Sequence, residues 1–351
     1  MKIYVMSQIM TNITSPIEKE MKHFGDIFRD SLSHNEGLLN DVLSHIMQRG
    51  GKRMRPILTL LIAKALYMRS NASNDADSGM MDRWMEGMMQ KALHAACSLE
   101  LLHTASLVHD DVVDEADQRR GQASVNAQYN TRVAVLVGDY ILSTSLHEIS
   151  FCHDERMTNA LAKLGQTLSR GEVRQQQNIT DETFSIDAYY QVITQKTAAL
   201  FEACCMHGAL AVDASSDDID AVCTFGRNLG IAFQIRDDIF DYYDSSEIGK
   251  PTGNDMREGK LTLPVLLVLN DEKCPAEYHA MARSVKAQRA TNDEISSLIA
   301  YTVEQGGIER AQQVMNEYFT AAKSYIDERI TDSRFNASLH AFADYVVGRK
   351  M

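Results

Sequence analysis

The chain predicts an all-α fold, and three observations carry that prediction. Apolar residues recur at three- and four-residue steps, as with Leu93, Cys97, Leu101, Ala105, Val108 and Val112 between Ala92 and Ala116. The strict alternation of a half-buried strand is nowhere sustained. Only five prolines interrupt 351 residues, and no Pro- or Ser-rich linker divides them. Length alone would suggest two domains. The continuous helical pattern favours one large domain over residues 1–351, with ample chain to bury a core.

The elements follow in order. Residues 1–14 read as a short N-terminal extension. A first helix is expected at Ser15-Pro16-Ile17-Glu18, with Ser15 as the cap, Pro16 at the first helical position and Glu18 as the capping-box acid. A second starts at Pro56 and continues through ILTLLIAKALY. The stretch 69–83 is polar and reads as a surface loop. It leads into a Met-rich helix start (Met80, Met81, Met85, Met88, Met89) suited to adaptable packing or a subunit contact. After 92–116, helices are expected near 132–150, 155–178, 186–211, 217–243, 261–270 and 294–347.

Composition narrows the function. A formal charge of −13 weighs against general nucleic-acid binding, although local basic clusters survive within it. The six cysteines form no CxxC pair and read as reduced, mostly buried thiols of a cytoplasmic protein. No apolar run approaches the length of about 20 residues that spans a bilayer. The opening MKIYVMSQIM lacks the layout of a signal peptide. A soluble protein is expected, one still able to touch a membrane peripherally when releasing a greasy product.

Two acidic pentads carry the chemistry, DDVVD at 110–114 and DDIFD at 237–241. Residues four apart in a helix share a face, so Asp110 and Asp114 point one way, as do Asp237 and Asp241. With 28 aspartates in the chain, chance supplies roughly 0.2 such pentads, which makes two hard to dismiss. Each closes an apolar helical stretch. A helix C-terminus carries about half a negative charge, so stacking Asp110, Asp111, Asp114, Glu115 and Asp117 there calls for a cation. A solvated acidic helix end is the duller reading of one pentad; the pair favours divalent metal ions.

Basic groups answer the acidic ones. In GGKRMRP (50–56), Lys52, Arg53 and Arg55 crowd a helix start, where free N–H groups and the dipole make an anion site. A basic solvated turn is the alternative. Gly50-Gly51 is no P-loop, because the GxxxxGK[ST] spacing is absent. Arg119-Arg120 follow the first pentad. They either neutralise nearby aspartates or, beside carboxylate-held Mg²⁺, complete a cage for a diphosphate. His103 lies seven residues before Asp110, on nearly the same helical stripe. Acidic metal-binding walls with separate basic pockets suit diphosphate substrates, and no Ser-His-Asp or Cys-His arrangement is legible.

In the family's order, the strings HTASLVHDDVVDEADQRRG, VAVLVGDYILS, QKTAALFEACC, FQIRDDIFDYYD and GKPTGNDMREGKLTLP resemble signatures of the all-trans polyprenyl diphosphate synthases. The resemblance runs from GGKRMRP through GKLTLP and is nearest to medium- and long-chain octaprenyl and solanesyl types. It implies an isoprenoid-synthase fold, one helical bundle around a deep central cavity, usually a homodimer. It also implies Mg²⁺, three ions with substrate bound, held between the pentads by Asp110, Asp114, Asp237 and Asp241 with Asp111. Arg119, Lys196, Thr197, Gln234, Lys250 and Lys260 match the partners of the allylic diphosphate, with Lys196 and Lys250 assisting its departure. Lys52, Arg55, His103 and Arg120 match the isopentenyl diphosphate site, flanked by Gly51 and Arg53. The implied reaction condenses isopentenyl diphosphate with an allylic diphosphate.

In the family, bulky residues a turn below the first pentad limit product length. Here that level holds Ala105 and Ser106, both small, with Leu102 beneath. A turn rises about 5.4 Å, close to one isoprene unit, so a medium- or long-chain product for a quinone tail is expected. A short-chain geranylgeranyl or farnesyl diphosphate synthase is the alternative. A class I terpene cyclase fits less well, because DDIFDYYDS lacks that class's second metal element. A non-catalytic partner subunit would typically lack one of the motifs that are intact here.

Overall fold

Helix α1 (Lys2–Thr14) runs through a single 3-10 turn, Ser15–Ile17, into α2 (Glu18–Ser31). The computed structural model describes residues 2–35, 37–48, 50–71, 78–119, 121–180, 183–243 and 252–348. Residues 2–14 of the expected extension are helical, with Ile13 buried. Ser15 does not cap. With helix already upstream, its hydroxyl donates back to the Asn12 carbonyl at 3.3 Å, and no side chain caps the entry to α2.

Helix α3 (Gly37–Gln48) was not legible in the sequence. Helix α4 (Met54–Ser70) begins two residues before Pro56, behind Arg53 in the left-handed region at φ 49°. A proline is tolerated anywhere among the first-turn donors, which lack intrahelical partners, so Pro56 need not be the first residue. Helix α5 (Ser78–Val113) also starts early. The loop expected at 69–83 is helical at both ends, and 72–77 lie outside the described residues. Met, Asp and Arg at 80–83 extend a helix whose later turns, from Met89 onward, are anchored by burial.

The chain divides into two compact units: residues 1–165, 203–223 and 326–342, and residues 166–202, 224–325 and 343–351. In the first, α5 packs along α7 (Thr131–Ser150) and against α2 and α4. Gly138 permits the α5–α7 approach, since a Cβ there would lie 2.2 Å from His109 Nε2. After the first pentad a two-residue hairpin pairs Gln118–Arg119 with Gln122–Ala123. Helix α6 (Val125–Gln128) follows, capped by Ser124.

Polar burial in this unit centres on Glu148, which accepts from Ser31 Oγ at 2.6 Å and pairs with His94 Nδ1 at 2.9 Å. Burial pushes its carboxyl up, but the hydrogen bonds from His94 and Ser31 outweigh that and hold it below its ordinary value. A depressed carboxylate stabilises the fold above its unfolded pKa, and that stability is lost as pH falls through the folded value. Glu148→Gln is thus expected to cost about 1–3 kcal/mol at neutral pH and to flatten the acid limb of stability, as urea melts at several pH values would show. An unchanged acid limb would remove this account.

The second unit contains the end of α8 (Glu155–Thr180) and α9 (Ile186–Ile193), which is capped by Ser185. A π-helical turn at Thr194–Ala198 follows, then α10 (Ala199–Ala211), which passes to the first unit at 203, α11 (Ser216–Phe240), which enters the second at 224, and α12 (Asn254–Arg257). Helices α13 (Leu263–Leu269) and α14 (Ala276–Lys286) precede α15 (Asn292–Glu304), which opens with a Thr291/Glu294 capping box. The single stretch expected over 294–347 is interrupted. Gly306, at φ 70°, separates α15 from α16 (Gly307–Arg329), and the non-helical residues 330–332 separate α16 from α17 (Ser333–Val347), of which 333–342 belong to the first unit. Phe225, 1% exposed, stacks on Tyr325 with ring centroids 5.1 Å apart.

None of the six cysteines forms a disulfide, and all but Cys274 are buried. No helix among the described residues is long and apolar enough to cross a membrane. The all-α expectation holds, the short hairpin aside.

Candidate active site

Each pentad ends a helix. In the first unit α5 stops at Val113, and the Asp114 amide donates to the Asp110 carbonyl at 2.8 Å, so the two aspartates sit one helical turn apart. Asp114 is exposed and Asp110 half-buried. Asp111 faces inward, 1% exposed, and Arg119 Nε and Nη2 both reach its Oδ1, at 2.6 and 2.5 Å. The hairpin swings Arg119 back for this contact. Asp111 and Arg119 therefore hold each other, a structural task added to the roles expected of them.

A small cavity of about 50 Å³ lies behind this corner, lined by Gly50, Arg53, Glu100, His103 and Arg119. Arg53 is committed: Nη1 donates to Glu100 Oε1 at 2.9 Å, and its guanidinium lies 4.1 Å from the centroid of the Phe28 ring. Through these two contacts it braces the loop before α4. Lys52 and Gly51 are exposed, and Arg55 is half-buried on the first turn of α4. Arg120 and Lys250 lie outside the described residues. Ala105 and Leu102 are buried on α5, and the Ser106 hydroxyl donates to the His103 carbonyl at 2.9 Å.

In the second unit Asp237 is the exposed member of its pentad, its side chain 61% accessible. Asp241 accepts from the backbone N–H groups of Asn254 at 3.0 Å and Asp255 at 3.1 Å, so it organises the start of α12. Each of its oxygens keeps a second lone pair for a cation. Asp238 is buried and accepts from Tyr189 and Gln234. A cavity of about 250 Å³ opens beside these groups, lined by Lys196, Thr197, Gln234, Asp238, Asp255 and Lys260 among others.

The π turn presents Lys196 and Thr197 to this cavity. Lys196 Nζ meets Glu172 Oε2 at 2.6 Å and Gln175 Oε1 at 2.9 Å, both on α8. Gly171 is what lets α8 come so near, because a Cβ would lie 2.9 Å from Gln195 Cβ. Lys260 Nζ donates to Glu258 at 2.6 Å. Single π turns inside helices recur at functional sites.

Crowding and burial raise the acidic groups together. Burial, then the Asp241 charge, pushes Asp255 up to about 7. Burial raises Asp241. Burial and the Asp255 charge raise Asp238, against the pull of its two hydrogen bonds. Carboxylates that force one another toward protonation would be relieved by a cation, and an all-oxygen donor set suits Mg²⁺ or Ca²⁺. No group of three or more His, Cys, Asp or Glu among the described residues is gathered tightly enough to hold an ion. Mg²⁺ commonly completes its shell with water and substrate phosphate oxygens, so that finding is compatible with the donor set.

Several participants are only weakly marked in the sequence. Asp238 lies inside the DDIFD pentad and Asp255 inside GNDMREGK. Nothing in the sequence marks Glu100, Glu172 or Tyr189.

The fold and these sites define a class of all-α protein that sets paired aspartates beside a lysine-lined cavity. The family model described as Polyprenyl synthetase matches residues 36–302. Heptaprenyl diphosphate synthase component 2 of Geobacillus stearothermophilus is 32% identical over 328 residues, covering 93% of each chain. The crystal structure of geranylgeranyl pyrophosphate synthase from Bacteroides thetaiotaomicron is 40% identical, with TM-score 0.79 over 97% of this chain and 100% of that one. Polyprenyl synthase from Caulobacter crescentus, solved with calcium and isoprenyl diphosphate, is 26% identical, with TM-score 0.82 over 97% and 98%. The chain belongs to the polyprenyl synthetase family, has its isoprenoid-synthase fold and is a prenyl-transferring enzyme.

Proposed function

We propose that this enzyme condenses isopentenyl diphosphate with an allylic diphosphate, of farnesyl or geranylgeranyl type, into a medium- or long-chain all-trans polyprenyl diphosphate. A quinone side chain is the proposed destination. The two units act as one catalytic domain in this reading, and the working species is a homodimer in the cytoplasm. The observation that carries it is the crowded carboxylate cluster of Asp238, Asp241 and Asp255 beside a lysine-lined cavity. One relative's structure, solved with calcium and isoprenyl diphosphate, supports it.

Asp110, Asp114, Asp237 and Asp241 would hold Mg²⁺, which when bound supplies positive charge to a departing diphosphate. Lys196, Gln234 and Lys260, with Lys250, grip the allylic diphosphate so that its C–O bond can ionise. Lys52, Arg55 and His103, with Arg120, hold isopentenyl diphosphate, whose double bond attacks the allylic cation. A proton then leaves to the released diphosphate. The walls must keep water out, because the cation would otherwise hydrolyse.

Purified chain incubated with Mg²⁺, isopentenyl diphosphate and farnesyl or geranylgeranyl diphosphate is expected to yield products longer than geranylgeranyl, read by mass. No elongation by the chain alone would overturn the proposal. A geranylgeranyl product is the second reading, favoured by the 40% identical relative. Ala105 argues for the longer one: it is small and five residues before Asp110 on α5. Ala105→Phe is expected to shorten the product by about one or more isoprene units, since a helical turn rises about 5.4 Å. Because Ala105 is 1% exposed, the variant's melting point must be read alongside. An unchanged product from a folded variant would end the length argument.

A further inference from the structure

A chain of hydrogen bonds joins four residues along one wall of the larger cavity. The Tyr189 hydroxyl donates to Asp238 Oδ2 at 2.6 Å. Gln234 Nε2 donates to Asp238 Oδ1 at 2.8 Å. The Thr197 hydroxyl donates to Gln234 Oε1 at 2.7 Å. Asp238 is 4% and Tyr189 7% exposed.

The chemistry of the four groups fixes the direction of the chain. Gln234 turns its NH₂ toward Asp238 and its carbonyl toward Thr197, the orientation that an ionised Asp238, which can only accept, requires. Thr197 then spends its only hydroxyl hydrogen on Gln234. The Gln234 NH₂ retains a second hydrogen, and Gln234 lines the cavity together with Lys196 and Lys260. With the amide turned over, that cavity would meet a carbonyl oxygen instead, which repels an anion.

We infer that Asp238 is a positioning residue: it acts through Gln234, setting the amide so that an N–H rather than a C=O faces the allylic diphosphate. Tyr189 holds Asp238 from the other side. Asp238 is thereby separated in role from Asp237 and Asp241 in the same pentad. The inference rests on the proposed diphosphate occupying this cavity.

Asparagine at 238 matches the shape of aspartate but can offer NH₂ to Gln234, which removes the directional constraint. Asp238→Asn is expected to lower kcat/KM for the allylic diphosphate by about 10- to 100-fold, the usual loss for a supporting hydrogen-bond partner. The KM for isopentenyl diphosphate and the melting temperature should hold. The deciding measurement is a double-mutant cycle. Placed on Gln234→Ala, Asp238→Asn should cost less than about threefold, because a residue acting through Gln234 has nothing left to position. Equal losses in both backgrounds, or a wild-type Asp238→Asn, would overturn the inference. Should Asp238→Asn not fold, Tyr189→Phe run through the same cycle decides it, with a loss in the wild-type background and none on Gln234→Ala as the supporting result. Unmutated enzyme that fails to elongate would count against the proposed function, which keeps the two failures apart.

Discussion

Asp237→Ala is expected to lower kcat/KM by about 10³-fold or more, the equivalent of the several kcal/mol a metal ion contributes to transition-state charge stabilisation. Asp237 is the pentad member whose carboxylate stands open, 61% accessible and 3.8 Å from the Arg236 guanidinium. It is therefore the oxygen donor most available to an incoming ion. Raising Mg²⁺ should recover only part of the loss. Asp241→Ala should behave differently: its two oxygens anchor the amides of Asn254 and Asp255, so a lowered melting point should accompany the lost activity. Steady-state kinetics across a Mg²⁺ series, with melting curves for both variants, checks the contrast. An Asp237→Ala enzyme within tenfold of wild type would remove the metal assignment from the second pentad.

Lys196→Ala is expected to cost about 10²- to 10³-fold in kcat, the scale of losing one preorganised donor to developing negative charge. The same change leaves Glu172, 22% accessible, without its ammonium partner at 2.6 Å. Lys196→Arg should restore little. A lysine ammonium is a compact point charge that can turn between Glu172, Gln175 and a phosphate, whereas a planar guanidinium needs space the close approach at Gly171 does not leave. Single-turnover rates with a radiolabelled allylic diphosphate would test this. An arginine variant with wild-type kcat would show that charge alone suffices.

The helices most legible in the sequence were those with long apolar periodicity, such as the stretch ending at Asp110. Their later turns bury Leu93, Cys97, Leu101 and Ala105, and burial is what periodicity reports. Boundaries were less legible. Ser15 and Pro16 have every mark of a helix start, yet helix precedes them, because capping residues express a preference that upstream packing overrides. Helix α3 has a short pattern and no distinctive cap, so it left no clear signal. Within the sites, the motifs revealed which residues matter but not what they touch. Arg53 reads as a phosphate ligand from its basic neighbours, and its commitment to Glu100 and Phe28 depends on chain 25 to 47 residues away. Arg119 likewise reads as half of a free arginine pair, until the hairpin returns it to Asp111. Asp238 is one of three identical residues in its pentad, and only burial distinguishes it.

The π turn at Thr194–Ala198 makes the length of this segment matter as much as its composition. Such a turn is an ordinary helix carrying one surplus residue. Deleting one codon there would let the helix close as an ordinary α-helix with its two flanks nearly in phase, because the wide turn is what absorbs the extra residue. Tyr189 and Asp238 would keep their register, while Lys196 and Thr197, which the turn aims at the cavity, would lose theirs. A single-residue deletion within 194–198 should accordingly leave the melting point near wild type and abolish activity.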